Sequence, residues 1–202
     1  MDETKEKLTR FYNKFNENKR LDTRHGQVEF FTSIKYIHDY LKPGDRIADI
    51  GAGPGKYSLF LKQEGYDVTA VELVRPNIGM LRAKDKEIRI IEADARDLHM
   101  LKDREFDAVI LFGPMYHLYS FEDRLQALKE AARICKRVLF VTYIMNEYAL
   151  SPSKLPAIYG VSLYAEANGT TLPSAFSDAM SSRYVRSSSV VNLEDKIPES
   201  GM

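Results

Sequence analysis

The feature that most constrains this chain is Arg46-Ile-Ala-Asp-Ile-Gly-Ala-Gly-Pro-Gly-Lys56, an apolar run that breaks into three glycines. Only Asp49 interrupts Ile47 to Ile50, and Gly51, Gly53 and Gly55 follow ahead of a helical pattern. A strand that ends in glycines and turns into a helix is a ligand-binding device. Glycine permits positive φ and has no Cβ to hold a ligand away from the backbone amides. The helix N-terminus behind the turn presents N–H groups that have no partner within the helix.

The spacing narrows the ligand. A dinucleotide fingerprint runs G-x-G-x-x-G, whereas this chain runs G-x-G-x-G with Pro54 inside it. The next strand-like run, Asp67-Val-Thr-Ala-Val-Glu72, closes on an acid 72 − 51 = 21 residues after the first glycine. A carboxylate at that strand end is placed to accept hydrogen bonds from the ribose hydroxyls of a bound nucleoside.

Around this unit the pattern alternates. Leu8, Phe11, Tyr12 and Phe15 make one helical face, and Phe30, Ile34, Ile37 and Leu41 make a second that Pro43-Gly44 ends. The polar link Arg20–Gly26 lies between them and carries Arg24 and His25 as candidates for a functional surface. After the first strand come a helix with Tyr57, Phe60 and Leu61, the strand 67–72, and a short helix beginning at Pro76. Strands at Ile88–Glu92 and 106–112 follow, then a helix over 121–135 capped by Ser120, and a strand at Val138–Tyr143. Phe121, Leu125, Leu128, Ala132 and Cys135 form that last helix's stripe, which makes Cys135 a core residue. Repeated βα units predict an α/β fold with a mainly parallel sheet.

With these residues in place, the chain resembles the class I S-adenosylmethionine-dependent methyltransferases of small-molecule type. The likeness rests on Asp49-Ile-Gly-Ala-Gly-Pro-Gly55, Glu72, Glu92-Ala-Asp-Ala95 and Phe106-Asp-Ala-Val-Ile-Leu-Phe-Gly113, and covers roughly residues 28–145. It implies a Rossmann-like, mainly parallel doubly wound sheet with N-terminal helices; the composition of the tail described below adds the expectation that its C-terminal edge is incomplete. The implied organisation is a helical cap over 1–45, a cofactor-binding core over 46–145 and an atypical segment over 146–202. The implied cofactor is S-adenosylmethionine, with Gly51, Gly53 and Gly55 along its methionine part and Asp49 and Ala52 in the same motif. Glu72 takes the ribose hydroxyls, Leu73 packs on adenine, Asp94 takes the exocyclic amine with Ala95 beside it, and Phe112 and Gly113 complete the cofactor set. In Gly113-Pro-Met-Tyr-His-Leu118, Tyr116 and His117 are the catalytic candidates, His117 as general base. The resemblance departs from the family before the last parallel strand, where Cys135-Lys-Arg-Val138 runs on without a glycine turn.

Methyl transfer needs no metal or covalent nucleophile, and none is expected here. Two activities are expected in order: methyl transfer to a small-molecule acceptor, then a non-catalytic S-adenosylmethionine-binding module serving a partner chain. A nicotinamide-dependent oxidoreductase is disfavoured by the glycine spacing and by the lack of a Tyr-x-x-x-Lys pair. The 29 basic and 29 acidic residues balance, which argues against a nucleic-acid partner. One cysteine, no apolar run long enough to span a bilayer and a charged N-terminus predict a cytoplasmic protein.

Composition shifts along the tail. Serine occurs three times in residues 1–150 and eleven times in 151–202. Only Tyr184–Val191 has strand character there. The expectation is that the chain from about residue 165 packs poorly and leaves apolar surface around Phe112, Met115 and Tyr143. A second subunit or an exchanged tail would cover that surface, giving a homodimer.

Overall fold

The computed structural model describes residues 24–118, 120–142 and 161–163. Helix α1 (Arg24–His38) precedes strand β1 (Arg46–Ile50), α2 (Lys56–Gln63), β2 (Asp67–Glu72), α3 (Arg75–Lys84) and β3 (Arg89–Glu92). Strand β4 (Phe106–Leu111) leads through a 3-10 turn (Gly113–Tyr116) to α4 (Phe121–Ile134), β5 (Cys135–Thr142) and β6 (Val161–Leu163). The sheet order is β3-β2-β1-β4-β5-β6, with the first five strands parallel and β6 antiparallel to β5. Among the described residues no helix is long and apolar enough to cross a membrane.

Strand side chains alternate between the two faces of a sheet, and here both faces are covered. Ile47, Val68, Ala70, Ala108, Ile110, Val138 and Phe140 share one cluster with α1, α2 and Leu81 of α3. Ala48, Ile50, Val71, Val109, Leu111, Leu139 and Val141 share the other with α4 and the loop residues Leu98 and Leu101. Strands β1, β2 and β4 are accordingly buried at nearly every position.

The order reverses beside β1: the chain builds outward to β2 and β3, then returns to add β4 on the opposite edge of β1. Such a switch point leaves a crevice beyond the carboxyl ends of the two strands. The glycine turn follows β1 and the 3-10 turn follows β4, so both meet at this crevice.

Several expectations change. The polar link is shorter than Arg20–Gly26, because Arg24 to Gly26 already form the first turn of α1. Leu41 lies beyond the end of that helix. The core face of α4 is Ala127, Leu128, Ala131 and Ile134, whereas Phe121, Leu125 and Ala132 are only partly buried. Small alanines let the helix lie close to the sheet, which shifts the stripe. Cys135 is buried, and burial pushes its thiol up to about 12, consistent with core and not with a nucleophile.

The missing glycine turn has a physical answer: α4 ends at Ile134 and β5 starts at Cys135 with no residue between. The ladder itself is irregular at this junction. Phe106 pairs with Cys135 but Ala108 pairs with Val138, so β5 holds one surplus residue opposite Asp107. Lys136 Nζ donates to Asp107 Oδ1 at 3.1 Å, and Arg137 reaches back to Asp45 and the Tyr40 carbonyl, pinning the bulge to the loop before β1.

Met115 is not exposed as expected; it is 1% accessible and sits in the α4-side core. Phe112 is partly buried, with its ring edge-on to Tyr57 at 5.3 Å between centroids. The strand at Val161–Leu163 was not expected either, since only Tyr184–Val191 has strand character by sequence. Tyr143, Tyr184–Val191 and the expected boundary near residue 165 lie outside the described residues, as does the first helical face from Leu8 to Phe15.

Candidate functional site

The turn after β1 is held by β2. Gly51 and Ala52 both donate to the Val71 carbonyl, at 2.7 and 3.1 Å. Gly51, Gly53 and Gly55 all have positive φ, at 72°, 57° and 87°. Their surroundings differ. A Cβ on Gly51 would lie 2.3 Å from Pro114 Cδ, and one on Gly55 would lie 2.3 Å from Leu81 Cδ1. One on Gly53 would meet nothing within 4 Å. The outer glycines are therefore demanded by packing, and Gly53 alone stands against open space.

Glu72 closes the turn from the other side. It is 5% accessible, and its Oε2 accepts from Gly53 N–H at 2.6 Å while Oε1 accepts from Val74 N–H at 2.7 Å. Burial raises the affinity of this carboxyl for a proton; the Val74 and Gly53 amides pull it back down. Two backbone donors use about half of a carboxylate's lone-pair sites, which leaves acceptor capacity for a ligand.

Asp49 lies beneath the turn and is 3% accessible, with Ser58 Oγ donating to its Oδ2 at 2.6 Å. Burial pushes its carboxyl up to about 6, and the charge of Glu72 adds to the rise. Asp49 supports the turn from below and does not line the cleft.

The space at the cleft is about 470 Å³ when its open mouth and the adjoining solvent are counted. Gly51 lines it from the first turn, Glu72, Leu73 and Val74 from the end of β2, and Ala93, Asp94 and Ala95 from the end of β3. Pro114, His117 and Leu118 close it from the turn after β4. Of the residues expected from sequence, Gly51, Glu72, Leu73, Asp94, Ala95 and His117 come together here. Gly53 touches the site through Glu72. Ala52 and Phe112 pack with the α2-side cluster, and Gly113 lies against the Gly51 carbonyl. Tyr116 belongs to the 3-10 turn but not to the cleft wall.

Asp94 faces the cleft with its carboxylate already forked. Arg96 Nε donates to Oδ1 at 3.0 Å and Nη2 to Oδ2 at 2.7 Å, while Nη1 reaches Asp123 Oδ1 at 3.0 Å. Asp97, the next acid along the chain, is exposed and pairs with His99 at 2.7 Å. Ser120 caps α4 by accepting from Asp123 N–H at 3.0 Å, so Arg96 ties the β3 end of the cleft to the start of α4. His117 N–H donates to the Pro114 carbonyl at 2.9 Å, which fixes the backbone of the catalytic candidate. Among the described residues no group of three or more His, Cys, Asp or Glu is arranged to hold a metal ion.

Val74, Ala93 and Leu118 were not expected as wall residues, because their apolar side chains carry no sign of which way they point. Asn77 gives a sign that is easily passed over. It is a polar residue in the first turn of α3, on the face that Ile78 and Leu81 bury, and its amide, 1% accessible, finds no hydrogen-bond partner among the described residues. An unsatisfied buried amide costs about 1–3 kcal/mol.

Comparison with known proteins places this geometry. Residues 48–138 match the family model described as a methyltransferase domain. Glycine/sarcosine N-methyltransferase of Aphanothece halophytica is 33% identical over 114 residues, which are 54% of this chain and 41% of that protein. Probable tRNA methyltransferase 9B of Bos taurus is 32% identical over 109 residues, 54% of this chain and 23% of that protein. The match thus spans less than half the length of these curated relatives. Among solved structures, a SAM-dependent methyltransferase of Methanosarcina mazei superposes with a TM-score of 0.53 at 25% identity, covering 57% of this chain and 59% of that one. Magnesium protoporphyrin IX methyltransferase of Synechocystis PCC 6803, solved with bound SAM, shares the fold with a TM-score of 0.59 at 20% identity, covering 73% and 79%.

Proposed function

The chain carries a class I S-adenosylmethionine-dependent methyltransferase domain, and on that premise we propose that it binds S-adenosylmethionine and methylates a small-molecule acceptor. The observation that carries the reading is Glu72. A nearly buried carboxylate stands at the β2 end of a switch-point cleft, held by the Gly53 and Val74 amides with acceptor capacity to spare. That is the chemistry a pair of ribose hydroxyls requires.

The residues present fit the rest of an adenosine. Leu73, Ala93 and Leu118 offer apolar walls for a purine, and Asp94 stands beside them as an acceptor for its amine. Open space over Gly53 leaves room for the adjoining chain of the cofactor. The bound sulfonium supplies an activated methyl group; the protein's part is to orient it, exclude water and manage the acceptor's proton. His117 is the residue we assign to the proton, since it lines the cleft on a backbone tied to Pro114. The glycine/sarcosine relative is named for a small amine acceptor, which supports the acceptor class.

Calorimetry with S-adenosylhomocysteine and with NAD tests the cofactor, and a radiolabelled methyl screen over small amines, thiols, hydroxyls and bulk tRNA tests the acceptor. Binding of S-adenosylhomocysteine with transfer to a small molecule is expected. Binding of NAD instead would overturn the cofactor, and transfer to tRNA alone would overturn the acceptor class.

A further inference from the structure

Asp94 offers the cleft less acceptor capacity than Glu72 does. Its Oδ1 accepts from the Arg96 backbone N–H at 2.9 Å and from Arg96 Nε at 3.0 Å, and its Oδ2 accepts from Arg96 Nη2 at 2.7 Å. An ionised carboxylate has about four lone-pair sites, so among the described residues one site, on Oδ2, is left over. A guanidinium fork also fixes the orientation of the carboxylate it holds. The fork is itself anchored on α4: Arg96 Nη1 donates to Asp123 Oδ1 at 3.0 Å, and the Arg96 carbonyl accepts from Gln126 Nε2 at 3.2 Å. Asp123 is fixed in turn by Ser120, which accepts from its backbone N–H. Arg96 does not line the cleft, and its side chain is 19% accessible, so whatever it does for a ligand it does through Asp94.

We propose that Arg96 is a positioning residue that makes the cleft selective for a 6-aminopurine over a 6-oxopurine. This rests on the assignment of the cleft to S-adenosylmethionine. The two bases differ in the order of their polar groups. Adenine presents an amine donor beside the N1 acceptor, whereas hypoxanthine presents a carbonyl acceptor beside an N1–H donor. A carboxylate free to turn could accept from either donor, so an acidic side chain alone discriminates weakly. With both oxygens held by Arg96, Asp94 keeps a single acceptor site in a fixed orientation. The apolar wall residues Leu73, Ala93 and Leu118 have no side-chain donor to offer a purine carbonyl. Selectivity then follows from what the site cannot rearrange to satisfy, because a 6-oxo base brings an acceptor to the place of a donor.

Calorimetry on the full chain compares S-adenosylhomocysteine with its deaminated analogue, S-inosylhomocysteine, for the parent, Arg96→Met and Arg96→Lys. A hydrogen bond to a charged group is worth roughly tenfold to a hundredfold in affinity, and the parent is expected to prefer the amino form by that factor. Arg96→Met keeps the apolar stem and removes the fork, so the preference should fall by about tenfold. Arg96→Lys keeps the charge but cannot fork the carboxylate; its preference should fall as well, and it serves alone if the methionine variant does not fold. A merely structural role would weaken both ligands alike and leave their ratio unchanged, which overturns the proposal, as does a parent that binds both equally. Full preference in the lysine variant would show that charge suffices, and overturns the role of the fork. If the parent binds neither ligand, the cofactor assignment fails and the proposal falls with it. An unchanged ratio with both ligands bound sinks the proposal alone.

Discussion

Gly51 and Pro114 are joined by an absence: the space a Cβ would take on the glycine is filled by the proline ring, at 2.3 Å from Cδ and 2.6 Å from Cγ. The turn after β1 and the turn after β4 thus interlock across the switch point, and Gly113 repeats the fit, 2.9 Å from the Gly51 carbonyl if it carried a Cβ. Gly51→Ala should therefore combine overpacking with a left-handed φ of 72°, losing about 3 kcal/mol or more. Gly53→Ala carries only the φ penalty, about 1–2 kcal/mol, and should cost cofactor affinity ahead of stability. Urea unfolding alongside calorimetry separates the two. Equal destabilisation by both substitutions would show that the glycines share one structural role.

Glu72→Gln should weaken S-adenosylhomocysteine binding by about 1.5–3 kcal/mol for each charge-assisted bond lost. It also brings an NH₂ group up to the Gly53 or Val74 N–H, so some loss of stability should accompany it. A variant that binds within twofold of the parent would remove the ribose assignment.

Asp49 sets a pH dependence of unusual sign. Its carboxyl is raised from 3.8 to about 6 in the folded protein, so the folded state binds the proton more tightly than the unfolded chain. The stabilising contribution of the protonated form is complete below about pH 4 and is lost as pH rises through about 6. A shift of this size corresponds to about 3 kcal/mol at neutral pH. Asp49→Asn keeps an acceptor for Ser58 Oγ, and should flatten the stability profile between pH 4 and 6 and stabilise the fold at pH 7. Chemical denaturation across that window is the measurement; a variant less stable at pH 7 would mean that the ionised form is the one the fold prefers.

Arg133 closes the loop before β4 onto α4. It donates to the Leu98 and Leu101 carbonyls, each at 2.9 Å, and pairs with Glu130 and Asp103 at 2.8 and 2.7 Å. Arg133→Met keeps most of the apolar stem but leaves two carbonyls and Glu130 without this donor. A loss of about 2–3 kcal/mol is expected by thermal or urea unfolding, with the cofactor affinity of the folded protein unchanged.

The strand 106–111 was legible because a strand buried on both faces is apolar almost throughout, and this one is. Strand β3 was read one residue too long, since Ile88 is apolar and buried but lies outside the ladder. The start of α1 escaped because Arg24 and Gln27 are exposed and carry no apolar period. The pairing partner of each residue is not a local property, so the bulge opposite Asp107 was seen only as a missing glycine. At the site, Glu72 was readable from chain spacing alone. The fork of Arg96 on Asp94 was not, although the two are separated only by Ala95, because its second partner Asp123 lies 27 residues further on.

The seam between Ile134 and Cys135 bears on which length changes the gene can tolerate. With no connecting residue there, an insertion cannot be absorbed in a loop and must enter β5, turning Val138 and Phe140 onto the side where Leu139 and Val141 belong. The bulge makes one exception. Its surplus residue is a reserve of exactly one position, so deleting Lys136 should restore a regular ladder with Val138 still opposite Ala108, whereas deleting Leu139 should invert the rest of the strand.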